Sequence, residues 1–254
     1  MKNLFLFLFL LVVFTSKAQD NRVSGLNSRQ FTKYWKVESE SPDYKVTFQG
    51  DTAEIVSPKG LTLWRKEKMS GKVTIEYDAC VVVESDGDRL SDLNCFWMAS
   101  DPQYPDNLWK REKWRSGIFL NCYSLQLYYL GYGGNHNSTT RFRRYDGDES
   151  GITNPKARPA ILKEYTDAGH LLKPNHWYHI KITNENNRVS YYIDGERLVD
   201  FRDAEPLREG WFGFRTTLSR TRITNFSYEC SSQEATAVPC LLYTSPSPRD
   251  RQKS

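Results

Sequence analysis

Apolar and polar residues alternate with a period of two through most of this chain. KVTFQG, TAEIVSP and LTLWRK set the pattern, and KVTIEYDACVVVES, NCFWMAS, GIFLNCYSLQLYYLGYG, HWYHIKITNENN, RVSYYIDGERLVDFRD, GWFGFRTT and TRITNFSYEC continue it. That period puts successive side chains on opposite faces of an extended backbone, so these segments read as strands. NENN and DG between them are turn chemistry, because Asn, Asp and Gly tolerate positive φ. Only Asp101–Trp114 and Pro155–Leu172 interrupt the rhythm for long. No internal repeat, low-complexity linker or shift in composition marks a second domain. The pattern predicts an all-β fold, a single antiparallel β-sandwich with long loops over one face. Aromatic residues, at 14%, suit half-buried pleated surfaces, and sugar-binding sites use them as stacking platforms.

The two ends read differently from the middle. MKNLFLFLFLLVVFTSKAQD has a Lys2 start, an apolar run from Leu4 to Phe14, and small residues at Ser16 and Ala18. This is a secretory signal pattern over residues 1–18, too short to be a membrane anchor. No cysteine follows the run, so a lipid anchor is not expected. The expected location is periplasmic or extracellular, without membrane insertion. At the other end, CLLYTSPSPRDRQKS (240–254) back-translates into a transposase-type sequencing adapter followed by an index. It is read as adapter read-through from a metagenomic assembly, outside a domain at 19–232 and a short native end at 233–239.

Those ends decide the charge argument. The chain has 35 Lys+Arg and 31 Asp+Glu. Removing Lys2, Lys17, Arg249, Arg251 and Lys253 from the first count and Asp250 from the second leaves 30 of each. A neutral domain gives no electrostatic reason to expect a nucleic-acid partner.

Cys80, Cys95, Cys122 and Cys230 remain once the tail is set aside. Export permits disulfides, but three of the four sit inside strand patterns, where cysteine serves as a small buried hydrophobe. Their pairing is left open. No CxxC or Cys/His spacing suggests zinc. ESDGDRLSD gathers Glu84, Asp86, Asp88 and Asp92, oxygen ligands of the kind calcium takes. Its spacing does not follow a calcium loop, and a solvated acidic turn is the better reading. No cofactor is expected, with structural calcium the lesser alternative.

The densest polar stretch is GYGGNHNSTTRFRRYDGD, from Gly131 to Asp148. If TTRFRRYDG is a strand, Thr139, Arg141, Arg143 and Tyr145 share one face, and Thr140, Phe142 and Arg144 the other. Guanidinium groups pair bidentately with carboxylates and stack on rings, so such a face suits a carboxylated sugar. The competing reading is a polar hairpin whose arginines pair with acids such as Asp146 and Asp148.

WYHIKITNENNRVSYYIDGERLVDF and the later GWFGFRTT resemble the closing strands of concanavalin-like jelly rolls. RLSDLNCFWMASDP, YYLGYGGNHNSTTRFRRYDG and GWFGFRTTLSRTRITNF, taken together, resemble the YesU-like family of bacterial jelly-roll proteins. The resemblance spans roughly Trp35 to Tyr228. It implies a carbohydrate context, the breakdown of pectin, rhamnogalacturonan and other uronic-acid polysaccharides, without implying an activity. SKAQD at the end of the signal is similar to exported proteins of Bacteroidota.

Elimination next to a uronic acid needs a group that neutralises the carboxylate, a base for the C5 proton and an acid for the leaving oxygen. Arg141 and Arg143 are the candidates for the carboxylate, His136 or Tyr145 for the base, and Tyr132 for the acid. Asn135, Asn137, Arg215, Trp109 and Trp114 complete the expected substrate-binding set. Trp97, Trp177 and Trp211 are expected in the core, and His170 in a loop without a clear partner. Hydrolysis needs two suitably spaced carboxyls, and the E-x-D-x-x-E strand of family-16 glucanases is missing. A polysaccharide lyase acting on an acidic polysaccharide is therefore the first expectation, with a non-catalytic binding module as the alternative and a glycoside hydrolase third.

Overall fold

A computed structural model of the chain describes residues 22–231; the signal segment, residues 232–239 and the 240–254 tail lie outside them. In chain order the strands are β1 (Val23–Ser24), β2 (Trp35–Ser39), β3 (Lys45–Gln49), β4 (Thr52–Arg65), β5 (Met69–Ser70), β6 (Lys72–Val81) and β7 (Leu93–Ser100). They continue with β8 (Gln126–Gly133), β9 (Thr139–Asp146), β10 (Lys163–Tyr165), β11 (Tyr178–Glu185), β12 (Arg188–Ile193), β13 (Glu196–Arg202) and β14 (Glu209–Ser231). Neighbouring strands are antiparallel, as the alternation predicted.

Two long strands build the sandwich. β4 and β14, of 14 and 23 residues, pair with each other from Gly213↔Trp64 to Ile223↔Ala53. The first half of β14 borders β7, whereas its second half borders β6. Correspondingly, β2 pairs with the end of β4 and β3 with its beginning. The changeover coincides with a register shift between Thr217 and Ser219, where Leu218 has φ 49°. One layer thus runs β10-β9-β8-β7-β14-β4-β2, and the other runs β13-β12-β11-β6-β14-β4-β3.

The main core fills the space between the layers. Trp97 lies 6.0 Å from Phe142 and 6.1 Å from Tyr191, with Ile75, Ile180, Phe212 and Phe214 in the same cluster. A second apolar cluster takes the alternate residues of the first layer: Phe96, Leu127, Tyr129, Tyr145, Trp211 and Trp64. Their sequence neighbours Cys95, Trp97, Tyr128, Leu130 and Phe212 belong to the main core, so the second cluster occupies the layer's outer face. The predicted excursion Asp101–Trp114 supplies Leu108 to its cover; the stretch after it, expected as strand, is irregular, with a 3-10 turn at Leu120–Ser124, and adds Cys122, Tyr123 and Leu125. Burying side chains of this size contributes about 1.5–3 kcal/mol each, so the segment is an integral layer and not a loose loop.

Its anchor is ionic. Arg115 is 0% exposed and donates to Glu38 Oε2 at 3.0 Å and to Leu108 O at 2.7 Å. Asp101, also buried, accepts from Arg111 at 2.7 and 2.9 Å. The second excursion contributes β10, an edge strand on β9. Cys80, Cys95, Cys122 and Cys230 are all free thiols. Burial pushes the Cys95 and Cys122 thiols up to about 12.

Candidate functional site

The uncovered part of the first layer's outer face is a cavity of about 350 Å³. Its floor carries Asn94 of β7, Tyr129 and Gly131 of β8, Arg141 and Arg143 of β9, and Arg215 of β14. Phe119 and Tyr123 of the covering segment form one wall. Arg89 and Asp92 of the turn before β7 and Gly134, Asn135 and His136 of the loop after β8 line it as well. Arg141, Arg143, His136, Asn135 and Arg215, scattered along the chain, therefore line one space. The three stretches that carried the resemblance, around RLSDLN, GGNHN and GFRTT, all reach it.

Local geometry explains the loop. Gly133, Asn135, His136 and Asn137 have φ of 66°, 51°, 58° and 58°, left-handed values that Gly and Asn adopt readily and His less so. Asn137 does not line the cavity. Its amide accepts from Leu172 N at 2.8 Å and donates to Leu172 O at 2.9 Å, so it holds the loop rather than a ligand. Gly131 is required for a different reason: a Cβ there would lie 2.3 Å from the Tyr129 hydroxyl, which folds over it.

The charges are unequally matched. Arg141 Nε lies 2.5 Å from Glu164, and Arg89 Nη1 lies 2.7 Å from Asp92. Arg143 donates only to Pro159 O. Arg215 donates to Gly117 O at 2.5 Å, with its guanidinium 5.6 Å from the Phe119 ring centre. Among the described residues, no carboxylate stands within 4 Å of either Arg143 or Arg215. Four arginines against Glu40 and Asp92 leave the lining with an excess of positive charge. Burial raises the Tyr129 phenol; Asp92 adds to this, and Arg215 and Arg143 oppose it.

Several expected residues lie elsewhere. Tyr145 shares the face of Arg141 and Arg143, as predicted, but is 0% exposed beneath Tyr123 and Tyr129, whose ring centres are 5.2 and 5.8 Å away. Burial pushes its phenol far up, and it does not line the cavity. Tyr132 follows Gly131 by one residue and points to the opposite face, where it donates to Leu171 O at 3.3 Å within the main core. Trp109 packs edge-on against Trp211 at 6.1 Å. Trp114 is 43% exposed beneath the Arg111 guanidinium. Neither lines the cavity, and the rings that do are Phe119, Tyr123 and Tyr129.

Among the other expectations, Trp97 and Trp211 are buried but Trp177 is 43% exposed. In the acidic turn, Asp88 accepts from the Glu84 and Ser85 amides, Glu84 binds Arg220, and Asp92 faces the cavity. These acids serve separate partners. Among the described residues, no group of three or more His, Cys, Asp or Glu is placed to hold a metal.

Behind the loop lies a strap, residues 163–173. Thr140 Oγ1 donates to His170 O at 2.7 Å, tying the strap to β9. Contrary to expectation, His170 has partners: both Asp167 oxygens at 2.8 Å and Glu196 at 3.2 Å, with Tyr165 stacked 4.1 Å away. Burial lowers its basicity, but its hydrogen bonds to the two carboxylates outweigh that, and its pKa is raised. A raised folded-state pKa gives stabilisation that is full below about 6.5 and lost as pH rises through the folded value. Thermal melts across pH should show His170→Gln destabilised below pH 6.5 and converging with the parent in alkali.

Comparison with known proteins bears on this geometry. Residues 55–226 match DUF6250, a domain of unknown function. Among curated proteins no sequence matches. A Bacillus subtilis protein of unknown function with a galectin-like fold superposes with a TM-score of 0.65 at 15% identity, covering 84% of this chain and 96% of that one. The carbohydrate-binding module CBM66 from Bacillus subtilis gives 0.50 at 15% identity, over 77% and 94%. The exoplasmic/lumenal domain of VIP36, solved with Ca2+ and Man3GlcNAc bound, gives 0.54 at 9% identity, over 85% and 91%. At these identities the likeness is one of fold, a jelly-roll sandwich.

Proposed function

The chain belongs to the DUF6250 family, and from the cavity it builds we propose that it binds the carboxylate-bearing sugars of an acidic polysaccharide. One observation carries this reading: Arg143 and Arg215 present guanidinium groups to the cavity with no carboxylate in ion-pair contact, Glu40 being the nearby acid of the lining. A desolvated cation without a counter-ion favours an anionic ligand, and Arg binds carboxylates in a fixed fork. Phe119, Tyr123 and Tyr129 supply apolar surface for a sugar ring. Two structures of the same fold support the sugar, since one is a carbohydrate-binding module and the other was solved with Man3GlcNAc. The YesU-like resemblance adds a pectic or other uronic polymer as the source, and the signal pattern supports a location outside the cytoplasm.

Calorimetry with oligogalacturonides and glucuronan fragments tests this. The acids should bind at least tenfold more tightly than their methyl esters, about 1.4 kcal/mol. Equal affinity for acid and ester would remove the role of the arginines.

Catalysis is the second reading, because His136 lines the cavity with Arg141 and Arg143. In β-elimination His136 would take the C5 proton, the C4–O4 bond would break to leave a C4–C5 double bond, and a donor would protonate the leaving oxygen. Tyr129, kept protonated by burial, suits the donor better than the distant Tyr132. Ultraviolet absorbance of the unsaturated product separates the two readings. Binding without that signal leaves a lectin-like module, and a signal abolished in His136→Ala with binding retained establishes a lyase.

A further inference from the structure

Two buried acceptors in the cavity are left without donors. Asn94 is 7% exposed, and its Nδ2 donates to Asp92 Oδ1 at 3.3 Å while its Oδ1 has no hydrogen-bond partner. Asp92 is equally buried. Its Oδ2 lies 2.7 Å from Arg89 Nη1, yet no hydrogen bond of proper alignment reaches it. The backbone holds this pair in place. Asp92 has φ 66°, and Gly133 O accepts from both Asp92 N, at 3.3 Å, and Ser91 Oγ, at 2.9 Å. Buried acceptors are rarely left undonated, and each such case calls for an explanation. A backbone held in the left-handed region beside a cavity points the same way.

The placement of the pair suggests what fills it. Asn94 is the direct cross-strand partner of Arg215, so the two side chains leave the sheet side by side, about 5 Å apart at Cβ, and both line the cavity. That is about the breadth of one sugar ring. We infer that Asp92 and Asn94 accept hydrogen bonds from the hydroxyl edge of a sugar whose carboxylate is held by the cavity's arginines, so that the cavity selects a uronic acid over anions lacking hydroxyls. The inference rests on the binding function proposed above.

The test compares two probes on the full chain by calorimetry: uronate trimers, of galacturonate and of glucuronate, and tricarballylate, a carboxylate without hydroxyls. The unaltered chain should prefer a uronate trimer. Asp92→Asn, which keeps a residue tolerant of positive φ, and Asn94→Leu should each lower trimer affinity at least tenfold and leave tricarballylate binding unchanged or stronger. Arg143→Gln should weaken both probes. Far-ultraviolet circular dichroism and melting temperature establish that each variant folds, and Asn94→Ser, which keeps an acceptor, should recover part of the loss. If Asn94→Leu and Asp92→Asn bind the trimers like the parent while Arg143→Gln does not, the acceptor pair is wrong and the binding function stands. If the unaltered chain binds no trimer, or Arg143→Gln changes nothing, both fall.

Discussion

Arg115→Met is expected to lower unfolding free energy by about 3–5 kcal/mol, the range for removing one partner of a buried ion pair. Arg115 is the cation that Glu38 faces, and both are buried. Burial already raises the Glu38 carboxyl, with Arg115 opposing that rise. Without Arg115 a carboxylate is stranded between β2 and the covering segment, and Leu108 O loses its donor. The size of the loss follows from the stranded charge and not from the strength of the pair. Arg115→Met combined with Glu38→Gln should therefore recover most of it, the non-additivity a double-mutant cycle detects. Denaturant titration of the parent, both single variants and the double variant measures this directly. Additive losses would show that packing, and not charge, dominates the site.

Arg143→Gln is expected to weaken binding of a uronate oligomer by about tenfold to a hundredfold, from ~1.5–3 kcal/mol for a hydrogen bond to a charged group. Arg143 gives a cleaner test than Arg215. It is half-buried and donates only to Pro159 O, whereas Arg215 is 3% exposed and also holds Gly117 of the covering segment. Substituting Arg215 would mix a loss of stability with a loss of affinity. Arg141→Gln should matter less, because Glu164 already engages that guanidinium. Affinity measured against salt gives a second check, since a charge-dominated contact weakens as ions screen it. An Arg143→Gln variant that binds like the parent would overturn the proposed arginine site.

The alternation of apolar and polar residues made the sandwich readable, and with it the facing of β9: Arg141 and Arg143 on one side, Phe142 on the other. The same rule applied to LGYG separates Gly131 from Tyr132, and it would have excluded Tyr132 from the face of Arg141, to which Gly131 is paired. What periodicity does not report is which part of a face is covered. Tyr145 obeys the pattern and still lies beneath Tyr123, a residue 22 positions earlier in an irregular segment. Trp109 and Trp114 are the conspicuous rings of that segment, yet the cavity wall comes from the less conspicuous Phe119 and Tyr123. Asp92 and Asn94 were visible as an acidic turn and a strand start. Their shared position beside Arg215 depends on the register of β7 against β14, which local sequence does not encode. Even so, Tyr129 had a local signal, two residues before a glycine that cannot carry a side chain without displacing it.

The passage of β4 and β14 through both layers has a consequence for how the molecule fails. A sandwich of two separate sheets has a seam along which one can open while the other persists. Here the strand that carries Arg215 to the cavity continues past Leu218 to border β6 in the opposite layer. The first-layer floor and the distant β11–β13 edge thus share one covalent hinge and one hydrogen-bonded ladder, and are coupled into a single cooperative unit. A lesion at the far edge is transmitted to the ligand face as a change in how often that face exists at all, without altering any residue that lines it.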